Sequence, residues 1–172
     1  TIHRRENWGQ KLIGIANGLK KILDKFPETM LILPMHPNKI VREPLLRILG
    51  NNKQALLLEP LTYNKLVYAI KKCYFVVTDS GGLQEEAPTF GKPVLVIRDS
   101  TERLEGIEAG SSILVGTNEF NILNEASSLL EDHTRYRKFS KIVNPYGDGN
   151  ASQRILNYVC KYLKTIIPSN KN

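Results

Sequence analysis

Residues 75–86 read Phe75-Val76-Val77-Thr78-Asp79-Ser80-Gly81-Gly82-Leu83-Gln84-Glu85-Glu86. A short β-branched run ends in a polar turn with two adjacent glycines, and a helical pattern follows. Strand, glycine turn and helix in that order are the repeating unit of an α/β sheet. The run at 75–78 does not alternate polar with apolar residues. That is how a strand covered on both faces of a parallel sheet reads.

The same kind of run recurs on either side. Met30-Leu31-Ile32-Leu33 and Ala55-Leu56-Leu57-Leu58 come before it; Pro93-Val94-Leu95-Val96-Ile97 and Ser112-Ile113-Leu114-Val115 come after. Thr1-Ile2 looks like the end of another strand. Amphipathic stretches lie between. Trp8, Leu12, Ile15, Ala16, Leu19, Ile22 and Leu23 keep three-four spacing and predict a helix from about residue 7 to Lys25, with Pro27 just beyond it. Further helices are predicted over 42–49, 63–72, 83–90, 119–130, 136–142 and 151–165. The expected fold class is α/β, a doubly wound parallel sheet with right-handed crossovers. One domain is expected over 1–167, with a frayed polar tail at 168–172.

Composition narrows the function classes. Of 172 residues, 24 are Lys or Arg and 17 are Asp or Glu, a net charge of +7. The cations are scattered, as at Lys20-Lys21 and Lys71-Lys72, with no basic run interleaved with stacking aromatics. Solvated helix faces explain most of them, so no nucleic-acid partner is expected. No apolar run approaches the roughly 18 residues of a membrane span, and no leader is seen. Cys73 and Cys160 lie far apart with no metal-ligand spacing, so reduced thiols and a cytoplasmic location are expected. No metal or cofactor is expected.

In a parallel α/β sheet ligands bind beyond the carboxyl ends of the strands. Polar clusters fall there: His3-Arg4-Arg5-Glu6-Asn7, His36-Pro37-Asn38, Asp79 to Glu86, and Arg98 to Arg103. At Ser80-Gly81-Gly82, glycines let an anion approach the unpaired amides that open a helix. The plainer alternative is a capping serine with turn glycines. Glu85 and Glu86 either favour the helix dipole or bind sugar hydroxyls, and only one of the two is expected to face a site. His3 beside two arginines suits proton handling and diphosphate contact; a surface histidine is the alternative. Arg103 can clamp a phosphate or be a plain surface cation. His36 is a weaker candidate, and His133 reads as surface.

Taken together the clusters resemble a known family. His-Arg-Arg-Glu-Asn at 3–7, Asp-Ser-Gly-Gly-Leu-Gln-Glu-Glu-Ala-Pro at 79–88, Gly-Lys-Pro-Val-Leu at 91–95, Thr-Glu-Arg at 101–103 and Asn-Pro-Tyr-Gly-Asp-Gly at 144–149 stand in this order. They resemble the carboxyl-terminal domain of the non-hydrolysing UDP-N-acetylglucosamine 2-epimerases. The resemblance implies a Rossmann-like domain, one half of a glycosyltransferase-B-type architecture with UDP in the cleft. It implies interconversion of UDP-N-acetylglucosamine and UDP-N-acetylmannosamine by anti elimination of UDP and re-addition to the other face. By the same resemblance, His3 is the active-site histidine near the diphosphate. Ser80, Gly81 and Gly82 form the diphosphate turn, Glu86 holds the ribose, and Arg103 lies near the UDP. The implied partners are a UDP-sugar, an amino-terminal domain and a second copy in a homodimer, and the implied setting is cell-surface polysaccharide biosynthesis.

The chain also departs from the family pattern. Leu104 stands where proline is usual, which would loosen the loop presenting Arg103. Leu61 and Leu66 stand in the uracil-contacting loop where some members have glutamine and phenylalanine. The family's acid and base carboxylates lie in the other domain, so the chain alone is expected to bind UDP weakly without turnover. A glycosyltransferase-B donor domain and a non-catalytic nucleotide-binding remnant are the alternatives.

Overall fold

The computed structural model describes residues 1–166. The predicted end of the domain at 167 and the tail at 168–172 lie outside the described residues.

The strands are β1 (Leu31–Pro34), β2 (Ala55–Leu58), β3 (Val76–Thr78), β4 (Val94–Val96) and β5 (Ser112–Leu114). All their pairings are parallel. They form two sheets: β1 with β2, and β3-β4-β5. Leu31 sits opposite Ala55, and Val76, Val94 and Ser112 share a row. β4 is buried throughout, and its residues together with the following Ile97 alternate between two cores. Leu95 and Ile97 join the core built with α1 (Gln10–Lys25) and α6 (Glu119–Glu131); Val94 and Val96 join the core built with α3 (Tyr63–Lys72) and α4 (Gly81–Glu86). Helices therefore cover both faces of this strand, which is why its sequence lacks alternation.

The two sheets meet the single expected sheet only in part. Thr1 lies beside β3: its amino group donates to Val77 O at 2.8 Å, and Asp79 N donates to Thr1 O at 3.4 Å. These bonds have the pattern of one parallel rung, so the strand end read at Thr1-Ile2 is realised as that rung. Behind it, between β1 and β3, runs a cavity of about 540 Å³ lined by Ile2, Ile32, Leu33, Ile70, Val76 and Val77 among others.

Several element bounds moved for identifiable reasons. Residues Arg5–Asn7 form a 3₁₀ turn that buries Asn7, so α1 starts at Gln10 instead of residue 7. α2 (Lys39–Leu49) starts before the predicted residue 42 because Asn38 Oδ1 accepts from Ile40 N at 2.9 Å, and it continues through Pro44. α4 passes into a 3₁₀ turn, Ala87–Phe90, which ends at Gly91 with φ +64°. α5 (Leu104–Glu108) was not predicted; five residues are too few to show a period. α7 (His133–Ser140) starts before the predicted residue 136 because Asp132 Oδ1 caps Thr134 N and Arg135 N at 2.8 and 2.9 Å. α8 (Ala151–Ile166) closes the described chain, with Ile155, Val159 and Ile166 exposed on its apolar stripe. Among the described residues, no helix is long and apolar enough to cross a membrane.

Two glycines set the main helix packing. A Cβ at Gly14 would sit 2.7 Å from Thr117 O, and one at Gly18 would sit 3.1 Å from Ile122 Cβ. Both stay bare so that α1 can lie close against α6 and the turn that leads into it.

Candidate functional site

The site is organised from Asp79, the residue that follows β3. Asp79 is fully buried. Its carboxylate accepts from His3 N at 3.0 and 3.1 Å, Arg4 N at 2.9 Å and Asn7 Nδ2 at 3.0 Å. Asn7 Nδ2 also donates to Ile97 O at 3.0 Å, just past β4. One acidic side chain thus ties the 3–7 segment to the ends of two strands. Such multiply donated carboxylates satisfy the cost of burying charge.

This anchoring fixes His3. Its Nδ1 lies 3.2 Å from Asp79 Oδ1, and its ring faces His36 at 6.4 Å between centroids and 20° between planes. Partial burial pushes the His3 pKa below its ordinary value, and the Thr1 amino group, Arg4 and His36 push the same way. Asp79 opposes them without reversing the direction. The neutral imidazole is therefore favoured near pH 7.

Ser80 opens α4, but its hydroxyl does not cap the helix. Its own N–H donates to Thr78 Oγ1 at 2.9 Å. The capping alternative is not what this serine does. The two glutamates divide their work. Glu85 Oε1 accepts from Arg103 Nε at 2.8 Å, while Glu86 Oε2 is buried with no hydrogen-bond partner. Glu86, His3, Ser80 and Gly82 line one cavity of about 320 Å³, with Leu61, Tyr63 and Leu66 on its apolar side.

Gly81 and Arg103 are outside that lining. The Arg103 guanidinium lies over Gly81: a Cβ there would sit 3.1 Å from Arg103 Cζ. The glycine lets a cation rest against the start of α4. Arg103 Nη1 also donates to Glu102 Oε1 at 2.8 Å, so the guanidinium is held between two carboxylates. The structure thus brings His3, Ser80, Gly82 and Glu86 together and sets Gly81 and Arg103 directly behind them.

The loop bearing Arg103 is held firmly despite Leu104. Thr101 Oγ1 donates to the buried Gln84 Oε1 at 2.8 Å and accepts from Arg103 N at 3.1 Å. Tyr146 Oη accepts from Gly106 N at 2.9 Å and donates to Arg103 O at 3.2 Å. Asn144 Nδ2 donates to Glu85 O at 2.9 Å. The 144–146 segment therefore straps α4 and the Arg103 loop together. Arg98, buried, joins the first cluster to this loop through Glu6 at 2.7 Å and Glu102 at 2.7 Å.

Residue order alone assigns no individual role to Asp79, Asn7, Arg98, Asn144 or Tyr146. Their motifs were visible. Nothing in residue order, however, reveals which polar side chain turns inward at a strand end. Among the described residues, no three His, Cys, Asp or Glu side chains converge to hold a metal ion.

Comparison with known proteins gives the family of the chain. The chain is 45% identical over 161 residues to a UDP-N-acetylglucosamine 2-epimerase of Campylobacter jejuni, covering 94% of this chain and 42% of that one. A Staphylococcus aureus structure described as an MnaA–UDP co-structure superposes with a TM-score of 0.91 at 44% identity, over 99% of this chain and 47% of that chain. A Neisseria meningitidis UDP-GlcNAc 2-epimerase bound to UDP-GlcNAc gives 0.89 at 41% identity, over 93% of this chain and 43% of that chain. The chain thus spans less than half the length of these relatives. The family model for UDP-N-acetylglucosamine 2-epimerase matches residues 1–160, and the chain belongs to that family.

Proposed function

We propose that this chain is the UDP-binding half of an enzyme that interconverts UDP-N-acetylglucosamine and UDP-N-acetylmannosamine. The observation that carries this reading is Glu86 Oε2. It is a buried carboxylate oxygen without a partner, on a residue that lines the cavity together with His3, Ser80 and Gly82. An unsatisfied buried acceptor costs about 1–3 kcal/mol and calls for a donor. A ribose hydroxyl supplies one. The UDP-bound and UDP-GlcNAc-bound relatives support the choice of ligand.

In this reading Ser80, Gly81 and Gly82 receive the diphosphate at the start of α4, with Arg103 as the cation behind them. Elimination removes the proton at C2 and breaks the C1–oxygen bond to UDP, leaving a 2-acetamidoglucal. Re-addition returns a proton to the other face of C2 and re-forms the C1–oxygen bond. Bound UDP is leaving group and then nucleophile, so its grip must hold through both steps. His3, neutral and fixed by Asp79, stands where it can handle a proton near the diphosphate. The acid and base at C2 come from an amino-terminal domain on the other wall of the cleft, and a homodimer is the expected assembly. The exposed apolar stripe of α8 fits a helix that docks on that second domain.

Calorimetry tests the cradle. Ser80→Ala combined with Glu86→Ala is expected to weaken UDP binding by about tenfold or more, the loss of one or two hydrogen bonds to charged groups. The circular dichroism melt is expected not to fall, because the substitution removes an unsatisfied buried acceptor. Unchanged affinity would remove the assignment.

A further inference from the structure

The Asp79–His3 pair has a consequence for the proton inventory of the site. A neutral imidazole carries one N–H, on Nδ1 or Nε2, and the partner of one nitrogen decides the state of the other. His3 Nδ1 lies 3.2 Å from Asp79 Oδ1. The carboxylate is fully buried and already oriented by His3 N, Arg4 N and Asn7 Nδ2. It is acceptor-only when ionised, so at this ion-pair distance, which is not aligned as a hydrogen bond, its charge repels a lone pair on Nδ1 and attracts an N–H. The three other donors keep the carboxylate from rotating away. His3 also lines the 320 Å³ cavity with Ser80 and Glu86.

We propose that Asp79 is a positioning residue that holds His3 as the Nδ1–H tautomer, leaving Nε2 as the unprotonated nitrogen for the cleft. The consequence for catalysis rests on the epimerase reading above; the tautomer itself does not. An Nε2 lone pair can accept a proton or a hydrogen bond from a bound ligand. An Nε2–H could only donate. The pair therefore fixes the direction in which His3 first moves a proton.

Long-range ¹H–¹⁵N correlation on the uniformly labelled 172-residue chain reads the tautomer directly, with no UDP present. At a pH where His3 is neutral, its Nδ1 is expected at the protonated-nitrogen position and its Nε2 at the lone-pair position. Wild-type His3 found mainly as Nε2–H overturns the proposal. Asp79→Asn gives the second reading. The amide keeps one oxygen for the backbone donors and presents an NH₂ to Nδ1, so His3 is expected to switch to Nε2–H. A folded Asp79→Asn chain with an unchanged tautomer also overturns it. A merely structural Asp79 would change the melt and not the tautomer. If Asp79→Asn does not fold, the wild-type spectrum decides alone. In the complete enzyme, folded Asp79→Asn is expected to lower kcat by about a hundredfold, the low end of what a positioned acid–base group contributes, with UDP affinity little changed. Failure of the chain to bind UDP would overturn the epimerase reading and leave the tautomer result standing.

Discussion

At the scale of single residues, two glycines separate packing from function. Gly106 would bring a Cβ to 2.6 Å from Tyr146 Oη, the atom that joins Gly106 N to Arg103 O. Gly106→Ala is expected to cost about 1–3 kcal/mol by overpacking, read as a lower midpoint in urea. Gly81→Ala meets only the tip of the Arg103 side chain, which can swing away. It is expected to leave stability within about 1 kcal/mol. It moves a cation off the start of α4, so UDP affinity is expected to fall by up to about tenfold in titration calorimetry. Unchanged affinity would show that Arg103 does nothing for UDP. The division between Glu85 and Glu86 belongs at this scale too. Sequence said that one of them faces a site, and the resemblance picked Glu86. Only the Arg103–Glu85 bond shows what occupies the other.

At the scale of elements, the strands and long helices were legible because their signals are local and repeated. Continuous apolar runs marked the strands, and three-four spacing marked α1 and α8. The misses share a cause. α5 is too short to show a period, and the early starts of α2 and α7 depend on caps by Asn38 and Asp132 that only geometry reveals. The division into two sheets was equally invisible, since pairing partners are not written in a strand's own residues. The cavity between β1 and β3 leads to a prediction. An extended apolar segment of about four residues joined before Thr1 would run parallel to both strands and continue the rung that Thr1 makes with β3. The extended chain is expected to melt higher. A lower melt would mean that the cavity does not accept a strand. Partial burial disfavours the charged form of His3 in the fold, so the folded state binds fewer protons there than the unfolded chain, and stability should rise as pH rises through the ordinary histidine range.

At the scale of the molecule, five ordered motifs carried the family from sequence to structure. The folding of this chain brings four of the marked residues around one cavity and keeps Gly81 and Arg103 behind it. What sequence could not show was the scaffold: Asp79 gathering the 3–7 segment, Arg98 bridging two carboxylates, and the 144–146 strap. These are long-range contacts between side chains that no spacing rule connects. The chain spans less than half the length of its relatives, and a cavity with one wall can bind without completing a reaction that needs groups on both faces of a sugar. The purified chain is expected to show no epimer of UDP-N-acetylglucosamine by NMR, and turnover is expected only when an amino-terminal half is supplied. Sustained turnover by the chain alone would contradict this division of labour.

The central claim is that UDP sits in the cavity formed by His3, Ser80, Gly82 and Glu86. Titrating UDP into the ¹⁵N-labelled chain and following every backbone amide tests it most directly. The predicted result is saturable shifts concentrated at His3 and at Ser80, Gly81 and Gly82, moved together to about tenfold higher UDP or beyond in the Ser80→Ala, Glu86→Ala variant. Saturable shifts elsewhere with these amides unmoved would contradict it. So would the absence of any saturable shift at concentrations well above about 1 mM, where binding is worth only about 4 kcal/mol.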